Sequence, residues 1–251
     1  MHQIARNTSG TQVRCDRLLS CFEIVRSHEY QRGRPYQQTR LTPAEESAPS
    51  TRFEAKLREY RNWNGHWYAE SHVEEWVSRF PQALFPGLTV QVLASQNYAH
   101  LPEKIDLLFV DGYHHLHVLE LKAEPVASNR GVSPDQIRGQ MHRYLEFLQR
   151  ERLPVTTSLT SYYAEFSRRF LGSPHDLMTD LEQTFGEGFP SASMTLCPTF
   201  LTEGYDNYAL DYFRACQQRV NRWFRLTYYQ FYVCNVSERH FIEFWEVPQG
   251  V

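Results

Sequence analysis

Two spacings of apolar residues divide this chain into elements. Period-two alternation is clearest in Lys104-Ile-Asp-Leu-Leu-Phe-Val-Asp111 and Leu116-His-Val-Leu-Glu-Leu-Lys-Ala123. Both runs are rich in β-formers and Asp111-Gly112 lies between them, which predicts a β-hairpin. Side chains alternate faces along a strand, so Leu116, Val118, Glu120 and Lys122 share one face, and His117, Leu119, Leu121 and Ala123 the other. A three-residue loop, Gly112 to His114, sets Asp111 opposite His115 and Asp106 opposite Glu120. Asp106, Glu120 and Lys122 then share a face. A four-residue loop would oppose Asp106 to Leu121 and scatter them.

Helical spacing follows. Ser133-Pro-Asp-Gln136 has the form of a capping box with Pro at the first helical position, and Ile137, Met141, Leu145 and Leu148 continue it as an apolar stripe. Gln136, Gln140 and Tyr144 lie four apart beside that stripe. Gln136 reads as the cap, while Gln140 and Tyr144 border the hairpin's polar face. Residues 68–80 read as a helix with Glu70, Val73, Glu74 and Val77 on one side, from which Glu70 leans over the same site. Residues 88–95 predict a strand ahead of the hairpin.

Elsewhere, helices are expected at 11–28 (stripe Leu18, Leu19, Phe22, Val25), 51–62, 159–171, 175–185 and 208–226, with Gly172 and Gly186 as stops. Residues 194–201 read as a strand that Pro198 confines to an edge or ends early. Residues 228–236 and 241–247 predict a second hairpin. Residues 29–50 are polar, carry Arg34-Pro35, Thr42-Pro43 and Ala48-Pro49, and read as a linker. The organisation expected is an N-terminal helix and flexible linker over 1–50, then an α/β domain over 51–251. That domain is a mixed central sheet flanked by helices, with a C-terminal helix and hairpin as an extension. The N-terminal segment is a candidate docking element for a protein partner.

The 251 residues suffice for one large domain, and their net charge of −3 argues against a generic polyanion binder. Nucleic-acid contact would have to come from local patches. Arg214, Arg222 and Arg225 share one face of the predicted helix over 208–226 and meet no acid from 212 to 237. They are either a phosphate-contact face or a solvated face whose stems cover apolar surface. Residues 61–68 mix Arg with Trp and Tyr, suited to base stacking or to packing. Five cysteines without a C-x-x-C pair indicate neither a zinc site nor a disulfide framework, and their odd number fits a reducing compartment. No signal-peptide run or membrane-length apolar stretch occurs, so a cytoplasmic protein is expected.

Of 26 basic residues only Lys56, Lys104 and Lys122 are lysines. A chain that otherwise uses Arg thus places a compact ammonium two residues after a carboxylate, where its pKa can be tuned by burial. Two carboxylates on a mostly apolar sheet repel unless a proton or cation resolves them, and an all-oxygen donor set suits Mg²⁺ or Mn²⁺. The alternative is a surface hairpin with an ordinary cross-strand ion pair. His114, His115 and His117 at the hairpin tip read as solvated. A metal cluster is the competing view, since His115 and His117 share the strand parity of Asp111. Gly-rich phosphate loops, G-x-S-x-G and H-E-x-x-H are absent.

Taken in order, Glu70, Asp106, Glu120-Leu-Lys122 and Gln140-Met-His-Arg-Tyr144 resemble the PD-(D/E)XK nuclease superfamily. The Glu-x-Lys and Gln-x-x-x-Tyr spacings look like its RecB-type branch. Glu70-Ser-His-Val-Glu-Glu-Trp-Val, Pro81 and Phe85-Pro-Gly-Leu88 are similar to NucS-type endonucleases. The resemblance covers about residues 66–150. The proline usually found just before the Asp is here Pro102, four residues ahead. The resemblance implies a restriction-endonuclease-like core and metal-dependent phosphodiester hydrolysis, with DNA as the expected partner. It implies that Asp106, Glu120 and the Leu121 carbonyl hold Mg²⁺ or Mn²⁺. Lys122 would orient water or stabilise the transition state, Gln140 and Tyr144 would brace the site, and Glu70 would stand behind it or hold a second metal. A non-catalytic nucleic-acid or protein binding module on the same scaffold is the rival expectation.

Overall fold

The computed structural model describes residues 3–6, 12–15, 17–31, 34–43, 70–95, 105–122, 134–150, 157–189, 194–203, 227–236 and 239–246. The strands are β1 (Gln3–Arg6), β2 (Gln12–Cys15), β3 (Arg17–Gln31), β4 (Arg34–Pro43), β5 (Val90–Ser95), β6 (Leu107–Asp111), β7 (His115–Lys122), β8 (Thr195–Glu203), β9 (Thr227–Val236) and β10 (Arg239–Glu246). The α-helices are α1 (Glu70–Arg79), α2 (Pro134–Arg150), α3 (Thr157–Leu171) and α4 (Leu177–Phe185). The fold is mixed α/β. β1 and β2 pair with each other, and the other eight strands form one sheet in the order β4-β3-β10-β9-β8-β7-β6-β5. β8 is parallel to both β7 and β9, and the remaining pairings are antiparallel.

Helices cover both faces of the sheet. On one face Gln91 of β5 donates to the Tyr163 hydroxyl of α3 at 3.1 Å, and Tyr144 of α2 lies buried against Glu120 of β7. On the other, Ser95 at the end of β5 donates to Glu74 of α1, and Phe85 packs on Phe109, His117 and Tyr229. The central strands therefore read as nearly continuous apolar runs, and every residue of β6 is buried. α4 begins at an Asp176 cap that accepts from Thr179 N–H at 2.9 Å and ends at Gly186. Among the described residues no helix is long and apolar enough to cross a membrane.

Two expectations are corrected. Where a helix over 11–28 and a linker after it were expected, the chain forms β2, β3 and β4. Leu18, Leu19, Phe22 and Val25 have helical spacing, but strand alternation is present too. The apolar edge of β10 selects it: Phe22 pairs with Ile242 and is buried between Phe80 and Phe244. Tertiary pairing overrides local spacing here. The strand containing Pro198 is also neither short nor at an edge, because β8 runs through it between two neighbours. The Pro198 carbonyl accepts from Thr227 Oγ1 at 3.5 Å, so its backbone faces β9. Pairing with β9 starts one residue later, at Thr199↔Thr227, so the missing N–H removes no ladder bond. The helices expected at 51–62 and 208–226, and the Arg–aromatic run at 61–68, lie outside the described residues.

Candidate functional site

The site depends on register. β6 and β7 pair Leu107↔Leu119, Leu108↔Val118, Phe109↔His117 and Val110↔Leu116, which leaves Gly112, Tyr113 and His114 as the loop. This is the three-residue arrangement. His114 takes the left-handed conformation (φ 61°) that such loops use at their last position. Its N–H donates to the Asp111 carbonyl at 3.1 Å.

At the hairpin's open end, Asp106 immediately precedes β6, where continuing the register one step past Leu107↔Leu119 sets it toward Glu120 on β7, and both are buried. The Leu121 N–H donates to Asp106 Oδ2 at 2.7 Å, which fixes that carboxylate against the β7 backbone. Lys122 Nζ lies 2.7 Å from Glu120 Oε1 and donates to the Leu121 carbonyl at 2.6 Å. One cation thus bridges a carboxylate and a carbonyl held by adjacent residues. From α2, Gln140 donates to the Tyr144 hydroxyl. Burial pushes the pKa of that hydroxyl far above its usual value. The charges of Glu120 and Asp106 and a hydrogen bond to Glu120 push it further, against the smaller lowering by Gln140. Tyr144 therefore keeps its proton at any ordinary pH, with the Glu120 and Asp106 charges close by.

The structure thus brings together Asp106, Glu120, the Leu121 backbone, Lys122, Gln140 and Tyr144. Glu70 opens α1, and its side chain lies outside the described residues, as do Arg214, Arg222 and Arg225. Of the described acids of α1, Glu74 is buried and takes the Ser95 hydroxyl, while Glu75 pairs with Arg79 at 2.7 Å. Ser95 pairs with Leu107 on the face opposite Glu120, so α1 approaches the sheet from the other side.

A row of polar side chains that the sequence reading missed continues from Lys122. Lys122 pairs with Thr202, and Thr202 with Gln230. Thr202 Oγ1 and the Tyr228 hydroxyl lie 2.7 Å apart, and Gln230 donates to the same hydroxyl at 2.9 Å. All three are buried, and together they give Lys122 a polar flank on the sheet. A lone Thr202 and the Tyr-x-Gln at 228–230 carry no signal until β8 and β9 are known to be neighbours.

The turn end of the hairpin carries a different cluster, on the opposite face. Asp111 Oδ2 lies 3.0 Å from both His115 Nδ1 and His117 Nε2. Its Oδ1 accepts the backbone N–H of Tyr113 at 2.8 Å and of His115 at 3.1 Å. Burial works to raise the Asp111 pKa. The His117 hydrogen bond, the His115 N–H, the His117 charge and the Tyr113 N–H outweigh it, holding the carboxyl well below the usual range. The expectation of solvated histidines is corrected for His117, which is buried under Phe85 at a ring separation of 4.5 Å. The shared strand parity of Asp111, His115 and His117 was the signal that pointed to the cluster, though not to the burial of His117.

Comparison with protein-family models, with curated proteins and with solved structures found no match.

Proposed function

We propose that this chain is a metal-dependent nuclease that hydrolyses phosphodiester bonds in DNA, on a restriction-endonuclease-like core. The observation that supports the reading is the convergence of Asp106, Glu120 and Lys122 on one sheet face, beneath Gln140 and Tyr144. The donors suit Mg²⁺ or Mn²⁺: two carboxylates and a carbonyl are hard oxygens, and the Lys122 ammonium already bridges Glu120 and Leu121. Asp106, Glu120 and the Leu121 carbonyl would hold the metal, which when bound supplies a lowered water pKa and charge screening. Lys122 stays beside these oxygens on a flexible stem and offers a point charge to a scissile phosphate. Tyr144 holds a proton at Glu120 and Gln140 keeps that hydroxyl in place.

A second reading has one observation in its favour. Lys122 closes directly on Glu120, so the face neutralises much of its own charge without a metal, as a non-catalytic binding module would. Incubating the protein with single-stranded, duplex, flapped and circular DNA separates the two. Cleavage in Mn²⁺ that EDTA abolishes and Asp106→Ala removes is expected. DNA bound but uncut across the panel would leave the binding module.

A further inference from the structure

The proposed nuclease reading uses only the open end of the β6–β7 hairpin. We infer that the turn end is a second, chemically distinct metal site, in which Asp111, His115 and His117 bind Zn²⁺. The three ligand atoms, Asp111 Oδ2, His115 Nδ1 and His117 Nε2, all lie within 4.8 Å of one another. Two of the three separations are 3.0 Å. Tetrahedral zinc with ligands at 2.0–2.1 Å sets neighbouring donors about 3.3 Å apart, so the two Asp111–imidazole separations need only a few tenths of an ångström of adjustment.

The surroundings fit a metal as well as the spacing does. Asp111 is anchored through Oδ1 by two backbone N–H groups, which leaves Oδ2 to face the imidazoles. His117 Nδ1 lies 3.4 Å from Thr199 Oγ1, which also lies 3.1 Å from the Cys197 carbonyl and 2.8 Å from Thr227 Oγ1. With the Thr199 proton directed to Cys197 or Thr227, Nδ1 donates to Thr199 and Nε2 faces Asp111 as a lone pair or as a second N–H. A lone pair aimed at a carboxylate oxygen calls for a cation between them, and an outer partner that fixes the imidazole tautomer is the usual support of a histidine ligand. Phe85 seals the His117 side, while the His115 side chain keeps 24% of its surface exposed, so a metal can reach the cluster from solvent. Two imidazoles and one carboxylate select zinc over magnesium and leave a fourth position open.

The test titrates chelator-stripped full-length protein with Zn²⁺, and with Co²⁺ as a spectroscopic reporter. The expected result is one tight equivalent of Zn²⁺ and visible tetrahedral Co²⁺ bands. Both should survive Asp106→Ala, which attacks only the proposed nuclease site. His115→Ala, at the exposed ligand and so expected to fold, should weaken Zn²⁺ binding by ~100-fold or more, since even an outer-shell loss reaches 10–100-fold. Asp111→Asn should do the same, with circular dichroism confirming that each variant is folded. Zn²⁺ affinity unchanged in folded His115→Ala, or no Zn²⁺ bound by wild type, would overturn the site and leave a metal-free hydrogen-bonded clamp. Zn²⁺ binding lost in Asp106→Ala but kept in His115→Ala would equally overturn it, by moving the metal to the open end.

Discussion

The two ends of the β6–β7 hairpin solve the same problem, a buried carboxylate, in opposite ways. They are separated by five residues of strand, about 17 Å at ~3.3 Å per residue, and their side chains emerge on opposite faces. At the turn end Asp111 receives two backbone N–H groups and two imidazole nitrogens, so each oxygen has nitrogen partners and the ionised form is strongly favoured. At the open end Asp106 takes a single backbone N–H, from Leu121, and Glu120, set toward it, takes the Lys122 ammonium. The negative potential there is strong enough to help hold the Tyr144 proton in place. Fixed donors make a carboxylate part of the architecture or of a nitrogen-rich metal site. Two neighbouring carboxylates that share one side-chain cation make a place where charge can be rearranged. That contrast is the reason the hydrolytic chemistry is proposed for the open end.

The comparison breaks most decisively through Glu120→Gln. The change keeps shape and removes charge, so cleavage should fall by ~10³-fold or more, on the scale of deleting a group that acts in the transition state. The melting temperature should stay near wild type, because a neutral amide still accepts from Lys122. A Glu120→Gln variant that cuts at the wild-type rate would remove the open end from the chemistry.

Asp111→Asn makes the same isosteric change at the other end, and there the loss should appear in folding. An amide can keep its one oxygen for the backbone N–H groups of Tyr113 and His115, but it then turns an NH₂ toward the two imidazoles and removes the charge that holds them. Unfolding free energy should drop by about 3 kcal/mol, the scale of breaking a buried charged hydrogen-bond cluster. Urea denaturation of the metal-free protein reads it. A loss below ~0.5 kcal/mol would show that the carboxylate does not anchor the turn.

Lys122→Arg sharpens the contrast at the open end. A purely structural ion pair tolerates either cation, since exchange costs of order 1 kcal/mol or less. A planar guanidinium cannot replace a point charge that must sit beside two oxygens 2.7 and 2.6 Å away without displacing whatever else approaches them. Cleavage should fall by ~10²-fold with binding and stability retained. Wild-type cutting by this variant would make Lys122 a structural cation.

How far the sequence foretold these ends differs in kind. The hairpin follows from period-two alternation around Asp111-Gly112, a short-range signal, but alternation left three- and four-residue loops open, and the register that sets Asp106 toward Glu120 and Lys122 comes from the strand pairing. α2, α3 and α4 were visible through caps, stripes and the stopping glycines. β3 and β4 were not, because Leu18, Leu19 and Phe22 fit a helix until β10 presents an apolar edge to them. Nor was the Thr202–Tyr228–Gln230 row, which exists only after two parallel pairings bring distant segments together. At the turn end the parity of Asp111, His115 and His117 was legible. Burial of His117 was not, since Phe85 arrives from 32 positions away in the chain.

The smallest expected effect belongs to Gln140→Ala, and it tests how the helix takes part in the open end. Gln140 does not meet Asp106, Glu120 or Lys122 in the bonds described. It donates to the Tyr144 hydroxyl, which in turn faces Glu120. Truncating it leaves the Tyr144 ring buried in the core and the carboxylates where they are. One net hydrogen bond is lost, worth about 1 kcal/mol. If that energy is felt equally in the transition state, the rate should fall by ~5–10-fold, far less than for Glu120→Gln. Tyr144→Phe should match it or exceed it slightly, and the double variant should cost no more than Tyr144→Phe alone, because Gln140 acts through that hydroxyl. A Gln140→Ala loss near 10³-fold, or full additivity with Tyr144→Phe, would place Gln140 in direct contact with the reacting groups. The helix would then be part of the chemistry, and no longer only the wall that holds it.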